Sequence, residues 1–210
     1  MSVIAHDVAR ALIEIGGVGF VPDNPITFKS GIISPMYIDN RMFPSYPRQW
    51  KVVLDGFREK IQNQKIDFDI LAGIETAGIP HSAALGALMM KPSVFIRKQV
   101  KDHGTKKMVE GGEVSHKKVL LIEDLVTTGG SSLHGVTELR KAGAIVGDCI
   151  VIVGYELVEA KQAFDKEIVH LTQLTDVLTI LEVAESMDKI TKENKKIVSE
   201  WLANPREWRG

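Results

Sequence analysis

The sequence has a single cysteine, no long hydrophobic run and almost no net charge. Cys149, inside the apolar run CIVIVG, is the only cysteine in 210 residues, so a disulfide framework is excluded and a core thiol is expected. A net charge of −1 gives no electrostatic reason to expect nucleic acid or an anionic membrane as partner. Charges interrupt the N-terminal segment, so we expect no signal peptide or membrane span and a cytoplasmic location.

Two common nucleotide-binding motifs are also missing. The sequence has no G-x-x-x-x-G-K-[ST] phosphate loop, because no lysine follows Gly129-Gly130. It has no G-x-G-x-x-G dinucleotide fingerprint either. These absences argue against a Walker-type nucleotidase and against a Rossmann-type dehydrogenase.

The most informative segment that is present is VLLIEDLVTTGGSS, residues 119–132. Four apolar residues predict a buried strand, and the carboxylates of Glu123 and Asp124 follow where ligands bind in open α/β sheets. A segment of small polar residues and glycines comes next and opens a helix, and its backbone N–H groups can surround a phosphate. These residues are Thr127, Thr128, Gly129, Gly130 and Ser131. Carboxylates repel phosphate, so the two acids are expected to face ribose hydroxyls, a metal or a developing cation. An ordinary strand-to-helix turn is the alternative.

Two further segments strengthen this interpretation. FIRKQVKDHGTKKMVEG, residues 95–111, is a basic loop whose cations suit a pyrophosphate leaving group, although a solvated surface loop is the alternative. Those cations are Arg97, Lys98, Lys101, His103, Lys106 and Lys107. GIETAGIP, residues 73–80, is a glycine-bracketed turn that can take a second phosphate on its backbone N–H groups.

Predicted strands and helices alternate along the chain, which indicates an α/β fold with a central, mainly parallel sheet flanked by helices. We predict strands at 69–72, 93–97, 119–122 and 144–154. Helices are predicted at 7–15, 48–64, from the turn at 73–78 to 89, 131–142 and 190–202. The leucine and valine spacing from 171 to 181 also predicts a helix. The length suits a single domain, residues 1–210.

The order acid-acid-x-x-Thr-Thr-Gly-Gly-Ser resembles the phosphoribosyl-pyrophosphate (PRPP) signature of type I phosphoribosyltransferases. FKSGIISPMYIDNR, residues 28–41, narrows the resemblance to the orotate phosphoribosyltransferase family, as does the match of RKxxKDHG to that family's catalytic loop. The resemblance implies a small N-terminal hood, about residues 1–45 plus C-terminal elements, on a PRPP-binding core of about residues 46–170.

The resemblance also implies an activity, the formation of orotidine 5-phosphate and pyrophosphate from orotate and PRPP in pyrimidine biosynthesis. It implies a homodimer that shares the catalytic loop across the interface, and Mg²⁺ as cofactor with Asp124 at the metal. Orotate would contact Lys29, Tyr37 and Thr127. The implied catalytic residues are Arg97, Lys98, Lys101, His103 and Asp124. PRPP would contact these five residues together with Glu123, Thr127 to Ser131, Glu75, Thr76, Ala77 and Gly78.

Two departures from the family pattern keep alternatives open. The turn Glu75-Thr76-Ala77 lacks the usual lysine, and no arginine follows the strand that ends at Gly154, where the family has an orotate contact. Lys29, Thr127, backbone groups or Arg41 would then have to recognise the base. A phosphoribosyltransferase for another base is therefore an alternative, and a non-catalytic PRPP-sensing regulator is a second one.

Overall fold

The computed structural model describes residues 3–99 and 107–209. Within these ranges the helices α1 to α7 are Val3–Glu14, Pro47–Asn63, Gly78–Met89, Gly130–Lys141, Val158–Lys166, Val177–Ser186 and Lys192–Ala203. The strands β1 to β10 are Val18–Phe20, Ile26–Thr27, Ile33–Ser34, Met36–Ile38, Ile70–Ile74, Ser93–Ile96, Val109–Glu110, Lys118–Val126, Ile145–Gly154 and His170–Asp176. A 3-10 helix covers Asn40–Ser45. None of the described helices has the length and hydropathy of a membrane span.

The chain divides into two compact units. The first consists of Met1–Val52 with Thr175–Gly210, and the second is Val53–Leu174. A six-stranded sheet of order β10-β9-β8-β5-β6-β7 runs through the second unit. β6, β5, β8 and β9 pair in parallel, whereas β7 is antiparallel to β6. The predicted α/β class with a mainly parallel sheet is therefore confirmed.

The central strands are almost continuously apolar because helices cover both faces of a parallel sheet. Every residue of β5 is buried, and so are Val119 to Glu123 of β8. Helices α4 and α5 pack on this sheet through Val136, Leu139 and Phe164, which are at most 1% exposed. This core fixes the strand ends, from which the loops of the candidate site emerge.

Three sequence predictions need correction. The helix expected across residues 171–181 is wrong at its start, because β10 occupies His170–Asp176 and α6 begins only at Val177. The side chain of Asp176 caps α6 by accepting a hydrogen bond from the Thr179 backbone N–H at 2.8 Å. The strand expected at 119–122 continues through both acids to Val126. The basic segment also contains the short strand β7, which was not predicted.

The first unit ties the C-terminal helix α7 to the N-terminal strands. The fully buried Trp201 donates a hydrogen bond from its indole Nε1 to the carbonyl oxygen of Ile33 in β3, at 2.7 Å. Its ring also meets Phe28 edge-on, with centroids 6.2 Å apart. One side chain therefore anchors α7 beside the segment that contains Lys29.

We expect Trp201→Phe to lower the free energy of unfolding by about 1–3 kcal/mol, because the fully buried side chain loses its hydrogen bond to the part-buried Ile33 carbonyl. Urea denaturation of the purified variant measures this. Trp208→Phe is the matched control, since Trp208 is only half-buried. Equal stabilities of the two variants would contradict the role assigned to Trp201.

Candidate active site

The parallel register brings the ends of β5, β6 and β8 to one edge of the sheet. Gly73 lies opposite Ile122, and Ile74 lies opposite Ile96. Continuing the first register by two residues aligns Glu75 with Asp124, and continuing the second by one residue aligns Glu75 with Arg97. Polar residues from three separate sequence segments are therefore neighbours at the carboxyl edge, where open α/β sheets bind ligands.

The predicted phosphate loop, Thr127 to Ser131, follows β8 directly and leads into α4. Gly129 is the N-cap residue, has φ +84° and, among the described contacts, makes no side-chain cap hydrogen bond. The first-turn N–H groups of α4 have no acceptor within the helix, and together with the helix dipole they favour an anion. Helix α7, by contrast, is capped by the side chain of Thr191. The loop thus has the polarity of a phosphate site.

Close packing fixes the shape of this loop from below. A Cβ atom at Gly129 would lie 2.8 Å from Cε2 of Phe164, so only glycine fits there. At the next residue, Gly130, a Cβ atom would have no described atom within 4 Å. The two glycines therefore differ in role: the first is required by the fold, and the second is open on the side where a ligand would approach.

The second predicted anion site is the turn between β5 and α3. A Cβ atom at Gly78 would lie 2.6 Å from the carbonyl oxygen of Ile122, so glycine lets the start of α3 approach β8. Ala77 is the N-cap of α3, and its described contacts include no side-chain cap hydrogen bond. The Glu75–Thr76 peptide bond is cis. This turn gives the carboxyl edge a second helix N-terminus, which begins against β8.

The two acids of β8 have different environments. Glu123 is 5% exposed, and its Oε1 accepts a hydrogen bond from the Asp124 backbone N–H at 3.2 Å, whereas Asp124 is only half-buried. Burial raises the pKa of Glu123 well above its ordinary value, and the neighbouring Asp124 charge raises it further. The charge of Lys98 acts in the opposite direction on this pKa. Asp124 is the more exposed of the two acids.

The basic segment is described only at its two ends. Lys98 is exposed, and its backbone N–H donates to Oε2 of Glu75 at 2.9 Å, which joins the segment to the β5–α3 turn. Arg97 Nη1 lies 3.3 Å from Glu110 Oε1 in β7. The predicted catalytic residues Lys101 and His103, and also Lys106, lie outside the described residues. Glu110 is a contact that sequence reasoning missed, because β7 has only two residues and no pattern of its own.

The predicted base-binding residues lie in the first unit. Lys29 is exposed, and Tyr37 is 39% exposed. The Tyr37 ring covers Gly19 on the neighbouring strand, where a Cβ atom would lie 2.0 Å from Cε1 of the ring. Arg41 forms a two-pronged ion pair with Asp39, with N–O distances of 2.6 and 2.8 Å, and this pair lowers the pKa of Asp39. The orotate roles of Lys29 and Tyr37 stay predictions.

The oxygen ligands described at the carboxyl edge are few for a metal site. Among the described residues no group of three or more His, Cys, Asp or Glu side chains could hold a metal ion. Asp124 offers one half-buried carboxylate at the carboxyl edge. Mg²⁺ is commonly held by one or two carboxylates with substrate oxygens and water completing the octahedron. The residues therefore fit an ion that arrives with a phosphorylated substrate, and they do not form a protein cage.

Comparison with known proteins agrees with this geometry. Residues 49–185 match the model of the phosphoribosyl transferase domain. The chain therefore belongs to the phosphoribosyl transferase domain family, the class that the fold and the site define. It is 38% identical over 205 residues to orotate phosphoribosyltransferase of Listeria monocytogenes, with 98% of each chain covered, which places it among the orotate phosphoribosyltransferases.

Solved structures give the same result. The Aeropyrum pernix orotate phosphoribosyltransferase is 28% identical with a TM-score of 0.75, and the match covers 85% of this chain and 98% of that one. Leishmania donovani UMP synthase is 27% identical with a TM-score of 0.84 over 95% of this chain. The chain spans 42% of the UMP synthase chain. The predicted family and fold are confirmed.

We expect Gly129→Ala to cost about 1–3 kcal/mol of folding free energy, because alanine is strained at positive φ and its Cβ meets Phe164. Thermal unfolding measures the loss. Gly130→Ala is the matched control, since a Cβ atom there meets open space. Similar losses for both variants would show that the packing under Gly129 does not support the loop.

The raised pKa of Glu123 predicts that the stability of the protein depends on pH. Its folded-state pKa is raised above the unfolded value of about 4.3, so the stabilisation is complete below that value and is lost as the pH rises through the folded-state pKa. We therefore expect Glu123→Gln to melt above the parent protein at neutral and alkaline pH, with the gap closing toward pH 4. Scanning calorimetry from pH 4 to 9 measures it. The exposed Glu200→Gln is the control, and a gap independent of pH would refute this assignment.

Proposed function

We propose that this chain joins orotate to PRPP, releasing pyrophosphate and forming orotidine 5-phosphate for pyrimidine biosynthesis. The single observation that carries the proposal is the arrangement at the carboxyl edge. The β5–α3 turn and the phosphate loop both follow strands of this edge and lead into helix N-termini, and the half-buried Asp124 lies on β8 just before the phosphate loop. PRPP has the same order of groups: a pyrophosphate, a ribose with free hydroxyls and a 5-phosphate.

In this proposal the 5-phosphate binds the backbone N–H groups of Thr127 to Ser131, and the pyrophosphate binds the turn from Glu75 to Gly78. Asp124 holds the ribose hydroxyls. A ring nitrogen of orotate attacks C1 of the ribose while the bond from C1 to the pyrophosphate oxygen breaks, so the configuration at C1 is inverted. Positive charge develops on the ribose in the transition state, and the nearby Asp124 carboxylate stabilises it.

The leaving pyrophosphate gains charge as its bond breaks, and cations must offset that charge. Lys98 supports this role, because its backbone N–H donates to Glu75 in the β5–α3 turn and its charge lowers the pKa of Glu123. We assign Arg97, Lys101 and His103 to the same task, with Lys101 or His103 also protonating the leaving group. Such a general acid contributes about 10²–10⁴-fold in rate.

Mg²⁺ would be held by Asp124 together with oxygens of the substrate. When bound, it supplies positive charge that offsets the negative charge on the pyrophosphate. Lys29, Tyr37 and Thr127 are assigned to orotate, with Lys29 opposite its carboxylate and Tyr37 on its ring. We further assign the chain to a cytoplasmic homodimer that shares the basic loop, as the family resemblance implies.

One feature favours a second candidate, transfer to another base. The residues that follow β9 are Tyr155, Glu156 and Leu157, so the arginine that contacts orotate in the family is missing. Arg41 is engaged with Asp39. A PRPP sensor is less favoured, because a sensor has no need of the cations that neutralise a leaving group.

We expect the purified chain, with PRPP and Mg²⁺, to consume orotate and to leave uracil, adenine, hypoxanthine and nicotinate unchanged. Base consumption and pyrophosphate release are measured together. Asp124→Asn is the matched control, because it keeps the fold but loses the ribose contact and should lose most turnover.

Turnover of a different base would show that orotate is not the substrate, but it would leave the proposed transfer reaction unchanged. PRPP binding without turnover of any base would support the sensor. Near-normal turnover by Asp124→Asn would show that the ribose does not lie at this carboxylate.

A further inference from the structure

The turn that follows β9 contacts the start of the phosphate loop. The backbone N–H of Tyr155 donates to the carbonyl oxygen of Val126 at 3.0 Å, and Val126 directly precedes Thr127. The strand register continues up to this point, with Val126 opposite Gly154. Tyr155 is only 3% exposed, so this contact lies in the interior. Any displacement of the turn therefore moves the residue from which the phosphate loop begins.

Gln173, on β10, holds this turn in place. Its Nε2 donates a hydrogen bond to Oε1 of Glu156 at 2.7 Å. Glu156 has φ +55°, a conformation that side-chain-bearing residues rarely adopt, so the contact holds a position that the backbone itself does not favour. The Gln173 side chain also lies across Gly154, where a Cβ atom would be 2.1 Å from Oε1 of Gln173. The glutamine thus contacts both the first and the third residue of the turn.

A pocket lies against this side of the loop. It is open to solvent, has a volume of about 470 Å³, and its lining includes Val126, Gly154, Phe164 and Gln173. Phe164 supports Gly129 from below, so the far end of the loop has a packed base. The near end, at Val126, also borders the pocket, while the Val126 side chain itself is 2% exposed and belongs to the hydrophobic core. Glu156 is exposed, and the hydrogen bond from Gln173 is what joins its side chain to β10.

We propose that Gln173 is a positioning residue for the phosphate loop. Through Glu156 and the backbone of Tyr155 it fixes Val126, and so it sets the direction in which Thr127 to Ser131 present their N–H groups. Gln173 itself does not contact the substrate. The proposal rests on the proposed function in one respect, namely that this loop binds the 5-phosphate of PRPP.

The test separates the two ends of PRPP. Ribose 5-phosphate reports on the phosphate loop, whereas pyrophosphate reports on the β5–α3 turn. Gln173→Glu places a second carboxylate against Glu156 and replaces attraction with repulsion. We expect it to weaken ribose 5-phosphate binding about tenfold by calorimetry, the scale set by losing one charged hydrogen bond. The inhibition constant of pyrophosphate should stay within about twofold.

The swapped double variant Glu156→Gln with Gln173→Glu is the rescue, because the amide and the carboxylate exchange places and the hydrogen bond forms again. It should restore ribose 5-phosphate binding. Gln173→Met, which has similar length and no donor, serves as a second disrupting variant and should weaken the same binding. Thr172→Val is the matched control. It removes the hydrogen bond from Thr172 Oγ1 to Gln64 Oε1, 2.8 Å long, from the neighbouring position of β10.

The proposal is overturned if Gln173→Glu binds ribose 5-phosphate like the parent protein. It is also overturned if both ends of PRPP weaken equally, if the swap fails to rescue, or if Thr172→Val has the same effect. Failure of the proposed function is a separate result, because it appears in the parent protein as no turnover of orotate. Thermal unfolding of each variant measures its stability. If the double variant regains the stability of the parent protein but not its ribose 5-phosphate binding, the positioning role of Gln173 is contradicted.

Discussion

The parallel hydrogen-bonded register of β5, β6 and β8 is the constraint on which the site depends. Residues 75, 98 and 124 are far apart in sequence, and only this register brings their strand ends to one edge. The glycine at position 78 lets α3 start against β8, because a Cβ atom at this position would lie only 2.6 Å from the carbonyl oxygen of Ile122. Because these contacts involve backbone atoms, the fold itself sets the positions of the loops at the site. A few side chains then supply the charged groups.

The edge separates two kinds of chemistry that would otherwise interfere. In the proposed binding mode the phosphates lie at helix N-termini and backbone N–H groups, which carry partial positive charge. The ribose lies at the half-buried Asp124 in that mode, whereas Glu123 is only 5% exposed. A single half-buried carboxylate can hold sugar hydroxyls and favour a cationic centre without strongly repelling the phosphates on either side. Burial, and then the neighbouring Asp124 charge, raise the pKa of Glu123.

Much of this could be predicted from sequence, because the decisive segment is local. Residues 118–141 form a strand, a turn and a helix in that order, and the glycine and hydroxyl residues of the turn predict an anion site. The predicted end of β8 is wrong. Two charged residues inside a strand resemble its end in the sequence, but β8 continues past them through Leu125 and Val126. Leu171 and Leu174 have helical spacing by coincidence in a strand, where tertiary pairing overrode the pattern. The pair of Gln173 and Glu156 has no sequence signal, since it depends on two elements meeting in space.

The most direct test of the central claim is a crystal structure of the chain with PRPP and Mg²⁺ bound. We predict the 5-phosphate oxygens at about 3 Å from backbone nitrogens within residues 127–131, the pyrophosphate at the turn of residues 75–78, and the ribose hydroxyls at Asp124. A reversed substrate, with the 5-phosphate at the β5–α3 turn, would contradict the account. A ribose held away from Asp124 would contradict it as well.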